Sequence, residues 1–273
     1  MPASAFGLAL AAAFLHAAWN VLIARARDPE AATGVALVAA VVFFAPVAAA
    51  TWDAESEVWP YLLGTATLHL AYFALLGAAY RRAELSVVYP LGRGLAPILV
   101  LVGSAAVLGV TPSAAETAAI CLVGAGILLV RGFRRDAPWT GVAFGLTIAA
   151  CIAAYTLVDK EGIQHANPIT YLELATALAA AVYVSGILSV KGTAALAREV
   201  NVAAVVAGLA MFGAYALVLA ALRLAPAASV AAVRETSIVI ATAGAALILR
   251  EPFGFARIAG ATLVVAGLAL LAL

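Results

Sequence analysis

The sequence predicts an all-α integral membrane protein with ten transmembrane helices, arranged as two inverted five-helix repeats. Three observations predict it. The 273 residues are 66% hydrophobic and only 11% charged, whereas a soluble domain carries about 25% charged residues. Ten apolar stretches follow one another, each close to the roughly 20 residues that cross a bilayer. Finally, an offset of 141 residues lays Arg93 on Arg234, each deep in an apolar run, and lays Gly103 on Gly244 and Gly126 on Gly267.

The spans run Ala5–Ala24, Ala32–Ala50, Trp59–Tyr80, Leu85–Leu108, Ser113–Val130, Trp139–Val158, Pro168–Val190, Val200–Leu222, Ala227–Leu249 and Phe255–Leu273. The first has no basic residues before it and is long enough to span, so it reads as a membrane helix and not as a signal peptide. The longest polar break, Thr51–Pro60, follows the second. The third carries His69, Tyr72, Phe73 and Tyr80 close to one face. In the fourth, Pro90 and Pro97 bracket Arg93 beside glycines, which predicts a distorted helix with freed carbonyls. The fifth ends at the basic segment Arg131–Asp136, the midpoint that divides the chain into repeats 1–135 and 136–273.

The sixth span carries Tyr155 and closes on Asp159, Lys160 and Glu161, which read as interfacial. The seventh sets Glu173 between Thr170 and Thr176, and the ninth sets Arg234 before Glu235. In the tenth, Gly260 and Gly267 share a face for close helix packing, and a weak homodimer is the alternative to a monomer. Five spans per repeat is an odd number, so the copies are inverted in the membrane.

The net charge of +1 argues against a nucleic-acid partner. Cys121 and Cys151 lie in apolar runs and read as small core residues. No cofactor or metal pattern is present, and no Walker motif signals an ATP-driven pump. A membrane enzyme would need a catalytic constellation, and His16, His69 and His165 sit on different spans or loops. Arg25, Arg27, Arg81, Arg82, Arg131, Arg134, Arg135, Lys191, Arg198, Arg250 and Arg257 all fall on one side. Only Lys160 and Arg223 lie near the span ends on the other. Taken alone, the charge bias puts the first side in the cytoplasm and both termini outside.

Three stretches carry a family resemblance. They are His16-Ala17-Ala18-Trp19-Asn20 followed by Arg25, then Val88-Tyr89-Pro90-Leu91-Gly92-Arg93-Gly94, and last Leu249-Arg250-Glu251-Pro252 leading to Gly260 and Gly267. The chain resembles the EamA family of the drug/metabolite transporter superfamily, built from two five-span repeats. The first copy of the closing turn, Leu108-Gly109-Val110-Thr111, lacks the family's acid. The resemblance implies a secondary transporter of the inner (plasma) membrane, often an exporter of amino acids or other small metabolites, with a central cavity between the halves. It also implies cytoplasmic termini, opposite to the charge bias.

An ionisable residue inside a span is a functional candidate by default. Arginine offers a planar fork of donors suited to carboxylate or phosphate. Arg93 and Arg234 are therefore the expected substrate-binding pair, favouring an anionic or zwitterionic small molecule. Neighbours along a helix point apart, so Arg234 and Glu235 are not expected to pair. His16, Trp19 and Asn20 share a face of the first span and join the expected site with His69, Tyr72 and Tyr89. Glu173 and His16 are the candidates for proton coupling. The rival readings are an exporter of hydrophobic cations, which would want a buried acid in an aromatic box, and a flippase of lipid-linked substrates.

Overall fold

The computed structural model describes residues 1–131, 138–240 and 254–273. Its helices are α1 (Ala3–Ala24), α2 (Pro29–Ala50), α3 (Trp59–Arg82), α4 (Leu85–Val107), α5 (Ala114–Arg131), α6 (Trp139–Gly162), α7 (Pro168–Lys191), α8 (Thr193–Glu199), α9 (Val202–Leu224), α10 (Ala227–Arg234) and a closing helix, α11 (Phe255–Ala272). Eight helices among the described residues are long and apolar enough to cross a membrane, and α5 is a shorter apolar helix. In lipid a spanning segment must satisfy its own backbone, which long helices do internally. Residues 241–249 of the ninth expected span lie outside the described residues. So do Arg134, Arg135, Arg250, Glu251 and Pro252.

Helix starts repeat between the halves. Asp28 precedes Pro29 and accepts hydrogen bonds from the Glu30 and Ala31 amides. Asn167 precedes Pro168 and accepts from Ile169 and Thr170 in the same way. Each caps the donors left over at a helix N-terminus.

The prolines of the fourth span do not break its helix. The proline-bracketed α4 is an uninterrupted helix from Leu85 to Val107. Each proline removes only one intrahelical donor, and the surrounding turns keep their bonds. The break falls instead in the second half. There α10 ends at Arg234, Glu235–Thr236 form a turn, and helix resumes at 237–240. The short α8 was not foreseen, since seven residues in a loop carry no spanning signal.

Packing follows the 141-residue offset. A Cβ on Gly260 would lie 2.6 Å from the Gly126 carbonyl oxygen, and one on Gly267 would lie 2.7 Å from that of Ala119. Ala119 and Gly260 are related by the offset, as are Gly126 and Gly267. The α5–α11 contact is thus its own image, and the pseudo-two-fold axis passes through it. Other contacts come in related pairs: α1–α9 with α3–α6, and α2–α9 with α3–α7. Cys151 is buried as expected, but Cys121 is exposed on α5, because the glycine face of that helix is the one turned to α11.

The loops pair by the same symmetry. On one side of the bundle, Lys191 reaches Asp28 and Glu30 at 2.7 Å, and the Asp28 amide donates to Glu199. On the other side, Ala54 bridges Ala166, and His165 Nδ1 donates to Glu55 at 3.0 Å. The hydrogen bond from Lys191 holds the Asp28 carboxyl below its ordinary value.

Two outcomes are expected. Gly260→Leu should destabilise the detergent-solubilised protein by about 2 kcal/mol or more, read from its thermal unfolding, because the site has no room to repack. A lowered carboxyl pKa stabilises above the ordinary value and is lost as pH falls through the folded one. Lys191→Met should therefore cost about 1 kcal/mol near pH 7, and the two proteins should converge below about pH 3.

Candidate functional site

The site grows from the break after α10. Because Arg234 is the last residue of its helix, the turn that follows folds Glu235 back onto it. Arg234 Nε and Nη2 donate to Glu235 Oε1 at 3.2 and 3.1 Å. This corrects the expectation that the two point apart, which holds only within a continuous helix. From the other half, Arg93 Nη1 donates to the same carboxylate, at 3.2 Å to Oε1 and 3.4 Å to Oε2. All three side chains are buried. A buried charge is tolerated when it is paired and its remaining donors are satisfied.

Arg93 spends its second nitrogen on the first half. Nη2 donates to His16 Nε2 at 3.2 Å and to the Tyr72 hydroxyl at 3.4 Å. Arginine can only donate, so His16 Nε2 must accept, which makes this imidazole the neutral Nδ1–H tautomer. The arginine faces are covered by aromatic rings, Tyr89 at 5.7 Å from Arg93 Cζ and Tyr155 at 5.9 Å from Arg234 Cζ.

The pseudo-symmetry is broken where it matters. The image of Glu235 across the offset is Gly94. A Cβ there would come within 3.1 Å of Leu128 and 3.2 Å of the Gly124 carbonyl, so the first half has no space for a matching acid. The repeat supplies the arginine twice and the carboxylate once, and the cluster keeps one positive charge in excess.

Both arginines open onto a cavity of about 120 Å³ that lies between the halves. His16, Trp19, His69, Tyr72 and Phe73 line it from the first half, and Tyr155, Tyr171, Thr176 and Tyr215 from the second. Trp19 Nε1 is buried with no hydrogen-bond partner among the described residues. It stands edge-on to His16 at 5.0 Å. His69 stacks on Tyr155 at 4.4 Å, and its Nδ1 donates to the Thr65 carbonyl.

Of the expected residues, Arg93, Arg234, His16, Trp19, His69 and Tyr72 thus converge. Tyr89 packs on Arg93 behind the cavity wall. Asn20 donates to the His16 carbonyl of its own helix at 2.7 Å and does not line the cavity. Glu173 is buried, with Oε2 unpartnered among the described residues, and also lies off the cavity lining.

Asp159 overturns its interfacial reading. It is 0% exposed and accepts hydrogen bonds from Thr65, Tyr171 and Tyr215. It sits near the end of α6, but α7 and α9 close over it. Two signals pointed to this cluster. Thr65, His69 and Tyr72 repeat at i, i+4, i+7, and Tyr155 and Asp159 stand four apart, each set on one helix face. Lys160 turns away, donating to the Leu222 and Ala225 carbonyls at 2.5 and 3.2 Å.

Apolar helices in two related halves, around a largely apolar cavity that carries two arginines and a few other polar groups, define a membrane transporter of many spans. The chain belongs to the EamA-like transporter family, whose profile matches residues 3–132 and again 139–273. This is a family of transporters and not of enzymes. No curated protein matches the chain. A solved crystal structure, described only as that of a protein, is 15% identical and aligns over 99% of this chain and 96% of its own, with a TM-score of 0.79. At that identity the likeness shows the fold.

Glu235→Gln would leave two buried arginines without a counter-charge. It is expected to cost about 3–5 kcal/mol, read as a lowered unfolding temperature in detergent. Arg234→Gln leaves the Arg93–Glu235 pair in place and should cost less.

Proposed function

We propose that the protein is a ten-span secondary transporter of the inner (plasma) membrane, exporting small metabolites that carry one carboxylate group. Amino acids and organic monoacids are the substrate class, and alternating access between two halves is the mechanism. The observation that carries this reading is the single Glu235 carboxylate shared by two arginines. It leaves one positive charge for a ligand carboxylate to neutralise. The guanidinium forks of Arg93 and Arg234 suit that group, and the Trp19 indole N–H, without a partner among the described residues, can donate to a further ligand oxygen. The aromatic walls suit the rest of a small molecule by stacking and by apolar contact.

A second negative charge on the ligand would stay uncompensated in a desolvated site, so dianions are the poorer fit. The rings of Tyr72, Tyr155 and Tyr215 with the nearby Asp159 support a second reading, the hydrophobic-cation exporter. Against it stands the excess positive charge of the arginine cluster.

Counterflow in proteoliposomes with L-leucine, lactate, succinate and choline separates these readings. Leucine or lactate exchange is expected to exceed succinate and choline by about tenfold or more, a difference of about 1.4 kcal/mol. Choline as the best substrate would overturn the proposal. Arg93→Lys keeps the charge and removes the fork, so it should raise the KM for the carboxylate by about tenfold.

A further inference from the structure

The remaining buried carboxylate beside the cavity, Asp159, has a different environment from Glu235. Among the described residues it has no ion-pair partner, and the hydrogen bonds its carboxylate accepts all come from hydroxyl groups. Thr65 and Tyr171 donate to Oδ1 and Tyr215 to Oδ2. A buried carboxylate without a counter-ion keeps a desolvation cost that hydroxyl donors offset only in part. Binding one proton removes that cost.

The donors come from both halves. Thr65 belongs to α3 in the first repeat, whereas Tyr171 on α7 and Tyr215 on α9 belong to the second, as does Asp159. All three donor residues also line the cavity. The arrangement is built for: a Cβ on Gly162 would lie 2.7 Å from the Tyr171 ring and hydroxyl, so the missing side chain leaves the space through which Tyr171 reaches Asp159.

The charged and titratable neighbours are few. On α3 they include His69, whose Nδ1 donates to the Thr65 carbonyl. On α6 itself they are Tyr155 and Lys160, the latter turned to backbone carbonyls. Arg93 on α4 and Arg234 at the end of α10 are engaged with Glu235.

On the reading of this chain as a transporter, and independently of which substrate it carries, we propose that Asp159 is the proton-binding site of the transport cycle. In the arrangement described here, three hydroxyls converge and the carboxylate is ionised. When the halves rock apart at this end, Thr65 withdraws with the first repeat. Asp159 then takes a proton from the side to which it opens, and it returns that proton to the opposite side when the hydroxyls reconverge. One proton moves per cycle, and no other bond forms or breaks. Glu173 does not itself line the cavity, and its buried Oε2 accepts no hydrogen bond from the first repeat among the described residues.

Two experiments test this. In proteoliposomes carrying L-leucine, Asp159→Asn should keep counterflow, which needs no net proton movement, and lose accumulation driven by a pH gradient by about tenfold or more. Glu173→Gln should keep both. An Asp159→Asn protein that still accumulates leucine along the gradient would overturn the proposal.

The second readout needs no substrate. Measured in a Glu173→Gln background, the infrared band of a protonated buried carboxyl should appear as the pH is lowered and be absent once Asp159→Asn is added. Thr65→Val, which removes one donor to the ionised form, should make the band appear at higher pH. A band in the Glu173→Gln background that is unchanged by adding Asp159→Asn would overturn the assignment. If leucine exchange fails in the wild type, the carboxylate reading of the arginine site fails, and the infrared titration still decides Asp159.

Discussion

One buried carboxylate fixes the centre of this molecule. Arg93 and Arg234 both lie in apolar helices, where an unpaired guanidinium would be prohibitively costly, and both resolve that cost on Glu235. The pairing needs the turn after α10, because only there can two sequence neighbours face each other. It also joins the halves, since Arg93 arrives from α4 of the first repeat. The rest of the site is arranged around this cluster. His16 and Tyr72 take the second nitrogen of Arg93, Tyr89 and Tyr155 cover the two cations, and the cavity opens on the side the acid leaves free.

The repeat explains why such a cluster can exist at all. Duplication gives two arginines at equivalent places and an axis between α5 and α11 that brings their helices together. Strict symmetry would also have given each arginine its own acid or none. Gly94 is packed against Leu128 and the Gly124 carbonyl, so the first copy admits no side chain there, and α4 stays a whole helix. The second copy breaks its helix and carries the acid. The asymmetry within a symmetric frame converts a structural ion pair into a site with one charge to spare. The same division of labour recurs at Asp159, where two of the three hydroxyl donors belong to the second half and Thr65 alone comes from the first.

Much of this was legible in the chain. The bundle, its repeat and the two arginines follow from hydropathy and the 141-residue offset, because lipid imposes span length and penalises isolated charge. His16, Trp19, His69 and Tyr72 were visible as polar or amphipathic groups on single helix faces. The errors share one cause. Pro90 and Pro97 suggested a break in α4, and nothing in the ninth span suggested one after Arg234, yet whether a helix breaks depends on what the freed groups and neighbouring side chains can reach. The sequence reads Asp159 as interfacial because it closes the sixth span, but the depth of that helix end is set by α7 and α9 closing over it.

The sequence by itself determined the number of apolar stretches described, their pairing into two copies, and which side chains had to find partners away from lipid. Those are local properties, written in composition and periodicity. The tertiary structure alone decided the partners. It put Arg93 and Arg234 on one acid, Asp159 among three hydroxyls, and Asn20 and Glu173 off the cavity. Side-chain pairing across helices depends on backbone positions of ångström accuracy at contacts far apart in the chain, and hydropathy carries no information on that scale.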